Sequence, residues 1–221
     1  VPPETLRWFG PAYRFDDRGW TFVHIQGAPY DRGYQYGYLL GEEIAEYIRK
    51  LGILQDAGNP SAGWGQLRFQ TDALLWRKFE TEYQLEMKGI ADGAAKAGAK
   101  AWGDRPTDAL DIAVLNSAID LDYMADALPK TRTALSGINF LKTEDELLIR
   151  EKNHKCSALA ATGAATADGR PVFAQIFMWN GYTGVHWEVL LDVQPEQGHR
   201  FVMQTFPGGI HSGADFYIND A

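Results

Sequence analysis

One cysteine, Cys156, is present in 221 residues. A lone thiol cannot close an internal disulfide, which leaves packing, metal ligation beside other residue types, or reactivity as its use. The five histidines, His24, His154, His186, His199 and His211, show no paired helical spacing and have no second cysteine to join them. No zinc set is therefore expected, and neither a metal nor another cofactor. Basic clusters are lacking too. With 21 Lys and Arg against 29 Asp and Glu, a formal charge of -8 and a pI near 5.1, nucleic-acid partners are excluded and anionic membranes disfavoured. No apolar run approaches the roughly 20 residues of a membrane span. The opening VPPETLRW carries no methionine and no signal peptide. A removed secretory signal is expected there, hence a secreted, periplasmic or lysosome-like protein, although so little cysteine does not itself mark an oxidising compartment.

What is present suffices for a real core: 45% of the residues are hydrophobic, and the length fits one large domain or two small ones. Residues 1 to 128 read as mainly helical. WTFVHIQG (20 to 27) has the look of a strand, and 29 to 51 predicts a helix with Pro29 and Asp31 near its start and Leu39, Leu40, Ile44, Tyr47 and Ile48 on one stripe. Gly33, Gly37 and Gly41 share a face of that helix. Each costs about 1 kcal/mol relative to alanine, which points to a backbone packed closely against them. A second helix is predicted from Gln66 to Lys88 and extended through 86 to 100. A third runs over 106 to 128, with Thr107 or Asp108 as its N-cap.

Residues 129 to 155 are polar, charged and without sustained period, a linker or propeptide-like segment. From Cys156 to 221 the period becomes that of strands. CSALAAT and PVFAQIFMW form a hairpin around Asp168-Gly169, and HWEVLLDVQ and RFVMQTF form a second. GADFYIND begins another strand of what reads as one sheet. Exposed sheet edges invite aggregation, so a second polypeptide fragment or a missing C-terminal half is expected to complete the fold.

A cysteine that opens a strand directly after a polar linker suits self-cleavage. Cutting between Lys155 and Cys156 would free an α-amino group of reference pKa near 8. That amine can serve as general base to the thiol beside it. Without such a role, inert packing is the commoner fate of a lone cysteine.

CSALAATGAATADGRPVFAQ resembles the start of the mature catalytic chain in the self-cleaving N-terminal-nucleophile (Ntn) hydrolases of the isopenicillin N acyltransferase-like cysteine family, related to the phospholipase B-like proteins. GAPYDRGYQYGYLLGEEI is similar to their glycine-spaced first helix, EMKGIADGAAKAGAK to their E-x-x-G-I-A-x-G-A segment, and DALDIAVLNSAIDL to the helix after it. GWGQLRFQT, MWNGY and FPGGIHSGADFY resemble the phospholipase B-like branch. The resemblance implies an α+β fold, a four-layer αββα sandwich of which this chain holds a part. It also implies an autoproteolytically activated zymogen, with Cys156 attacking an N-acyl amide through a thioester. A small-molecule N-acyl or lipid-like substrate is expected, on a pocket drawn from Gln175, Trp179, Asn180, Tyr182, His186 and His211. An oxyanion-holding asparagine is implied beyond residue 221.

The chain departs from that pattern where relatives carry an asparagine and, two residues on, an aspartate: here stand Ile176 and Met178, and Gln175 replaces an arginine or histidine. Two further readings therefore stay open, a phospholipase B-like lipid hydrolase and a non-catalytic protein on the same fold. His154 is read as a solvated linker residue and Asp168 as turn chemistry.

Overall fold

The chain begins with a three-stranded meander, β1 (Arg7–Phe9), β2 (Ala12–Asp17) and β3 (Trp20–Gly27). Asp17 pairs with Trp20 across a two-residue turn in which Arg18 and Gly19 both have positive φ, 51° and 85°. Such primed turns match the strand twist. Only β3 was legible as a strand, because β1 is three residues long and β2 alternates Arg14 among apolar neighbours. The computed structural model describes residues 5–127, 156–213 and 216–220. The predicted linker, 129 to 155, lies outside them, and so do Lys155 and His154. The described residues fall into two units, one made of 5–127 with 185–213 and 216–220, the other of 156–184.

In the first unit the helix predicted over 29 to 51 is two helices, α1 (Pro29–Leu39) and α2 (Gly41–Gln55), broken where Leu40 leaves helical geometry at φ -122° and ψ 24°. The break separates two packing tasks. Helix α1 lies along α4 (Thr81–Lys96) by its glycines: a Cβ on Gly33 or Gly37 would strike the carbonyls of Glu86 and Ile90, and one on Gly89 or Gly93 would strike those of Tyr30 and Tyr34. The close backbone approach read from the glycine spacing is thus present, and it is reciprocal. Beyond the break, α2 turns its stripe toward the sheet end, where Tyr47 meets Phe206 and Ile44 lies beside Gly208.

The helix predicted from 66 to 88 is likewise interrupted. Helix α3 (Pro60–Leu74), capped by the Asn59 side chain on the Ala62 amide, ends at Leu75, and a 3-10 turn (Trp76–Lys78) intervenes before α4. Gln84 ties that turn down by donating to the carbonyls of Trp76 and Phe79, both at 3.0 Å. Over 106 to 128, Asp108 is the N-cap of α5 (Ala109–Leu115) in a reciprocal capping box with Asp111. Thr107 instead donates its hydroxyl to the Ala91 carbonyl. Asn116 and Ser117 separate α5 from α6 (Ala118–Ala127).

The hairpin predicted after Trp187 forms as β6 (Val189–Pro195) and β7 (Phe201–Thr205), with β8 (Tyr217–Asn219) beyond it. These strands join the N-terminal meander, since β6 runs parallel to β3 from Thr21↔Val189 to Gly27↔Pro195. The sheet order is β1-β2-β3-β6-β7-β8. Its helix-facing side supplies Val23, Ile25, Leu191, Val193 and Met203, each at most 2% exposed, to a core shared with Tyr36, Leu40, Ile44 and Ile90. The first unit is mixed α+β, a helix layer on one face of a mixed sheet.

The second unit holds the other predicted hairpin, β4 (Ser157–Gly163) and β5 (Gly169–Ile176), with a four-residue helix α7 (Gly181–Gly184). This pair is a separate two-stranded sheet. The single sheet expected over 156 to 221 is therefore divided, because β6 takes β3 as its neighbour, a pairing that no local pattern announces.

Candidate functional site

Cys156 is exposed and directly precedes β4. Ser157 pairs with Ile176, Ala158 with Gln175, Leu159 with Ala174 and Ala160 with Phe173. Alternation puts Ala158, Ala160, Phe173 and Gln175 on one face, and Ser157, Leu159, Ala174 and Ile176 on the other. Continued by one residue, it puts Cys156 on the face of Gln175. Both faces are thus largely apolar, and Leu159, Val172, Phe173 and Ile176 are 50% exposed or more. A strand pair apolar on both sides is composed for the middle of a layered structure.

Residues 177–184 bring two candidate side chains together. The Asn180 carboxamide oxygen accepts from the Thr183 amide at 2.9 Å and the Thr183 hydroxyl at 2.8 Å, and that hydroxyl accepts from Trp179 Nε1 at 3.0 Å. Phe177 stacks on Trp179 at 5.9 Å between ring centroids. Asn180 therefore starts α7 in the way polar side chains start helices, by accepting an otherwise orphaned amide. Tyr182 is exposed. Thr183, the hub of this chain of bonds, was missed in the sequence, where a threonine four residues after a tryptophan has no signature.

The remaining candidates, His186 and His211, belong to the first unit and share an aromatic cluster. His186 lies 5.0 Å from Tyr47 and His211 5.5 Å from Phe206, ring centroid to centroid, while Tyr47 and Phe206 are 5.3 Å apart. Burial, with Lys50 adding to it, lowers the His186 pKa to about 4, although Glu46 lies 3.9 Å from Nε2 and favours the charged form. Desolvation prevails because Nε2 is buried without a hydrogen-bond partner. Burial also lowers the pKa of His211. These are packed neutral imidazoles in the folded protein.

Two charged constellations in this unit escaped sequence reading. His24 Nδ1 lies 2.8 Å from Asp192, its register partner on β6, and Arg200 grips the same carboxylate at 2.8 and 2.6 Å. Burial alone would raise the Asp192 pKa, but the bonds from Arg200 and His24 outweigh it and the pKa is lowered. On the helix-facing side, Arg32 holds Glu82 and Glu86. Burial outweighs the arginine at Glu86 and raises its pKa. Both sets depend on residues fifty or more positions apart. Among the described residues no group of three or more His, Cys, Asp or Glu is arranged to hold a metal ion, and no helix is long and apolar enough to cross a membrane.

No protein-family profile matches the chain. It is similar to an uncharacterized protein of Archaeoglobus fulgidus, 28% identical over 195 residues that cover 86% of this chain and 30% of that protein. The chain thus spans less than a third of its relative's length.

Proposed function

We propose that this chain belongs to an autoproteolytically activated, Ntn-type cysteine hydrolase or acyltransferase that acts on an N-acyl amide, with Cys156 as nucleophile. The observation that carries the reading is an exposed lone thiol at the start of a strand pair apolar on both faces. Activation begins when Cys156 Sγ adds to the Lys155 carbonyl carbon. The Lys155–Cys156 C–N bond breaks as the C–S bond forms, and the thiol proton passes to the departing amine. Water then hydrolyses the thioester, leaving a Lys155 carboxylate and a free N-terminal cysteine. In turnover the α-amine takes the thiol proton and the thiolate adds to the substrate carbonyl. The ammonium returns that proton to the leaving amine, and water or another acceptor takes the acyl group from sulfur.

The same reading casts the helix layer and mixed sheet of the first unit as one helix and sheet pair of an αββα sandwich. Ile176 and Met178 stand where an asparagine and aspartate serve the relatives, so substrate anchoring falls to other groups, among them Gln175, the register partner of Ala158 two residues from the thiol. The bonded Trp179–Thr183–Asn180 chain on the W-N-x-Y segment favours a lipid ester as the second substrate to try.

Intact-mass analysis of an active preparation tests the proposal, together with release of acid from N-acyl amides and from phospholipids. A fragment beginning at Cys156 is expected, with faster release from the amide. Full activity in an uncut chain removes the self-cleaving reading, and no release from either substrate leaves a non-catalytic protein.

A further inference from the structure

A cleft of about 470 Å³ opens in the first unit between the α1–α4 pair and the helix-facing side of β6, β7 and β8. That volume lies within the roughly 300–1,000 Å³ of small-molecule sites. Its sheet side is apolar at Val193, Phe201, Met203, Ile210 and Tyr217 and polar at Gln197, His199 and Asn219, and its helix side carries Arg32, Glu82 and Glu86. Arg32 is only 6% exposed. Both hydrogens of its Nη2 are engaged, by Glu82 at 2.7 Å and Glu86 at 2.6 Å. Nε is buried without a partner, and among the described residues nothing accepts from Nη1. A guanidinium has five N–H donors, so most of this one's capacity is unused beside the cavity.

The geometry points to a binding site for an uncharged, largely apolar molecule bearing one carbonyl acceptor, its oxygen on Arg32 Nη1 and its hydrocarbon against Phe201, Met203 and Ile210. Charge selects the head group. An anion would approach Arg32 beside two carboxylates that already hold it, and a cation would face the free Nη1 hydrogens; each arrangement sets like charges together. A neutral amide or ester carbonyl accepts from Nη1 without either penalty. The residues named for this cleft all belong to the first unit, and Cys156 belongs to the second.

Calorimetric titration with octanamide, octanoate and octylamine, three probes of one chain length, tests it on the 221-residue chain and on Cys156→Ala, where turnover cannot consume the probe. Octanamide is expected to bind saturably to both chains, about tenfold more tightly than either charged probe, a difference of about 1.4 kcal/mol. Ile210→Trp, which fills the cleft and leaves the ion pairs intact, should abolish that binding. The head-group comparison on the unaltered chain needs no variant to fold. Equal or tighter binding of octanoate or octylamine, absence of saturable octanamide binding, or unchanged binding in a folded Ile210→Trp chain would each overturn the assignment.

Discussion

Gly37 presents a bare Cα to the backbone carbonyl of Ile90, so close that a methyl group there would overlap both the carbonyl carbon and its oxygen. Backbone cannot rotate away as a side chain can. Gly37→Ala should therefore force α1 from α4 and destabilise the fold by about 3 kcal/mol, read as a lower urea midpoint. Gly65 lies in α3 with nothing within 4 Å of a built Cβ. Gly65→Ala should stabilise by roughly 0.5–1 kcal/mol. Effects of the same sign at both positions would refute the backbone-contact account.

Asp111 has no exposure and accepts from Trp64 Nε1 at 2.9 Å, Arg68 at 2.6 Å, Arg105 at 2.5 and 2.7 Å, and the Asp108 amide at 2.9 Å. Asp111→Asn keeps the shape and removes the charge that two arginines face. A loss of about 3 kcal/mol is expected, since stripping one partner from a buried ionic set strands the others. Thermal unfolding with a loss below about 1 kcal/mol would place Asp111 among ordinary surface pairs.

His186 links stability to pH. Its folded pKa, about 4, lies below the unfolded value of about 6.5, so between these values the unfolded chain binds the extra proton. Stability from this group is complete above pH 6.5 and falls as pH drops toward 4, in total by up to about 3 kcal/mol. Denaturation curves collected from pH 7 to 4 should show the slope, and His186→Phe should flatten it. An identical slope in that variant would assign the effect to other groups.

Cys156→Ala should give one uncut polypeptide without acyl release, because cleavage and turnover use the same sulfur. In the cleaved wild type, selective acetylation of the new α-amine should abolish activity while circular dichroism stays unchanged. Retained activity after complete acetylation would transfer the base role to a histidine, and His186→Phe and His211→Phe chains would then be assayed.

What could be read from sequence was local. Asp108 announces its helix by the side chain three residues before Asp111, and Asp168-Gly169 announces its hairpin, because both depend on a few adjacent torsions. Glycines four apart foretold a backbone neighbour without naming α4. The breaks at Leu40 and Leu75 were invisible, since the apolar period runs on through both while tertiary packing decides where the axis turns. β6 was foreseen as a strand, but its partner Thr21 lies more than 160 residues away, beyond any window of periodicity. The candidate residues divide in the same manner. Asn180 and Thr183 meet through local bonds, whereas Arg32 and Glu86 meet only because α1 and α4 touch.

Seven register pairs from Thr21↔Val189 to Gly27↔Pro195 lock the two ends of the sequence into one parallel ladder, and Tyr36 adds a bond to the Phe206 carbonyl at 2.7 Å. A nick anywhere in 128 to 155 would therefore not release two products. The halves would elute as one particle from a sizing column and part only in denaturant, behaving as a heterodimer born from a single gene. Synthesis has a corresponding order: the N-terminal helices can pack early, but β3 waits with one edge bare until the ribosome has delivered β6.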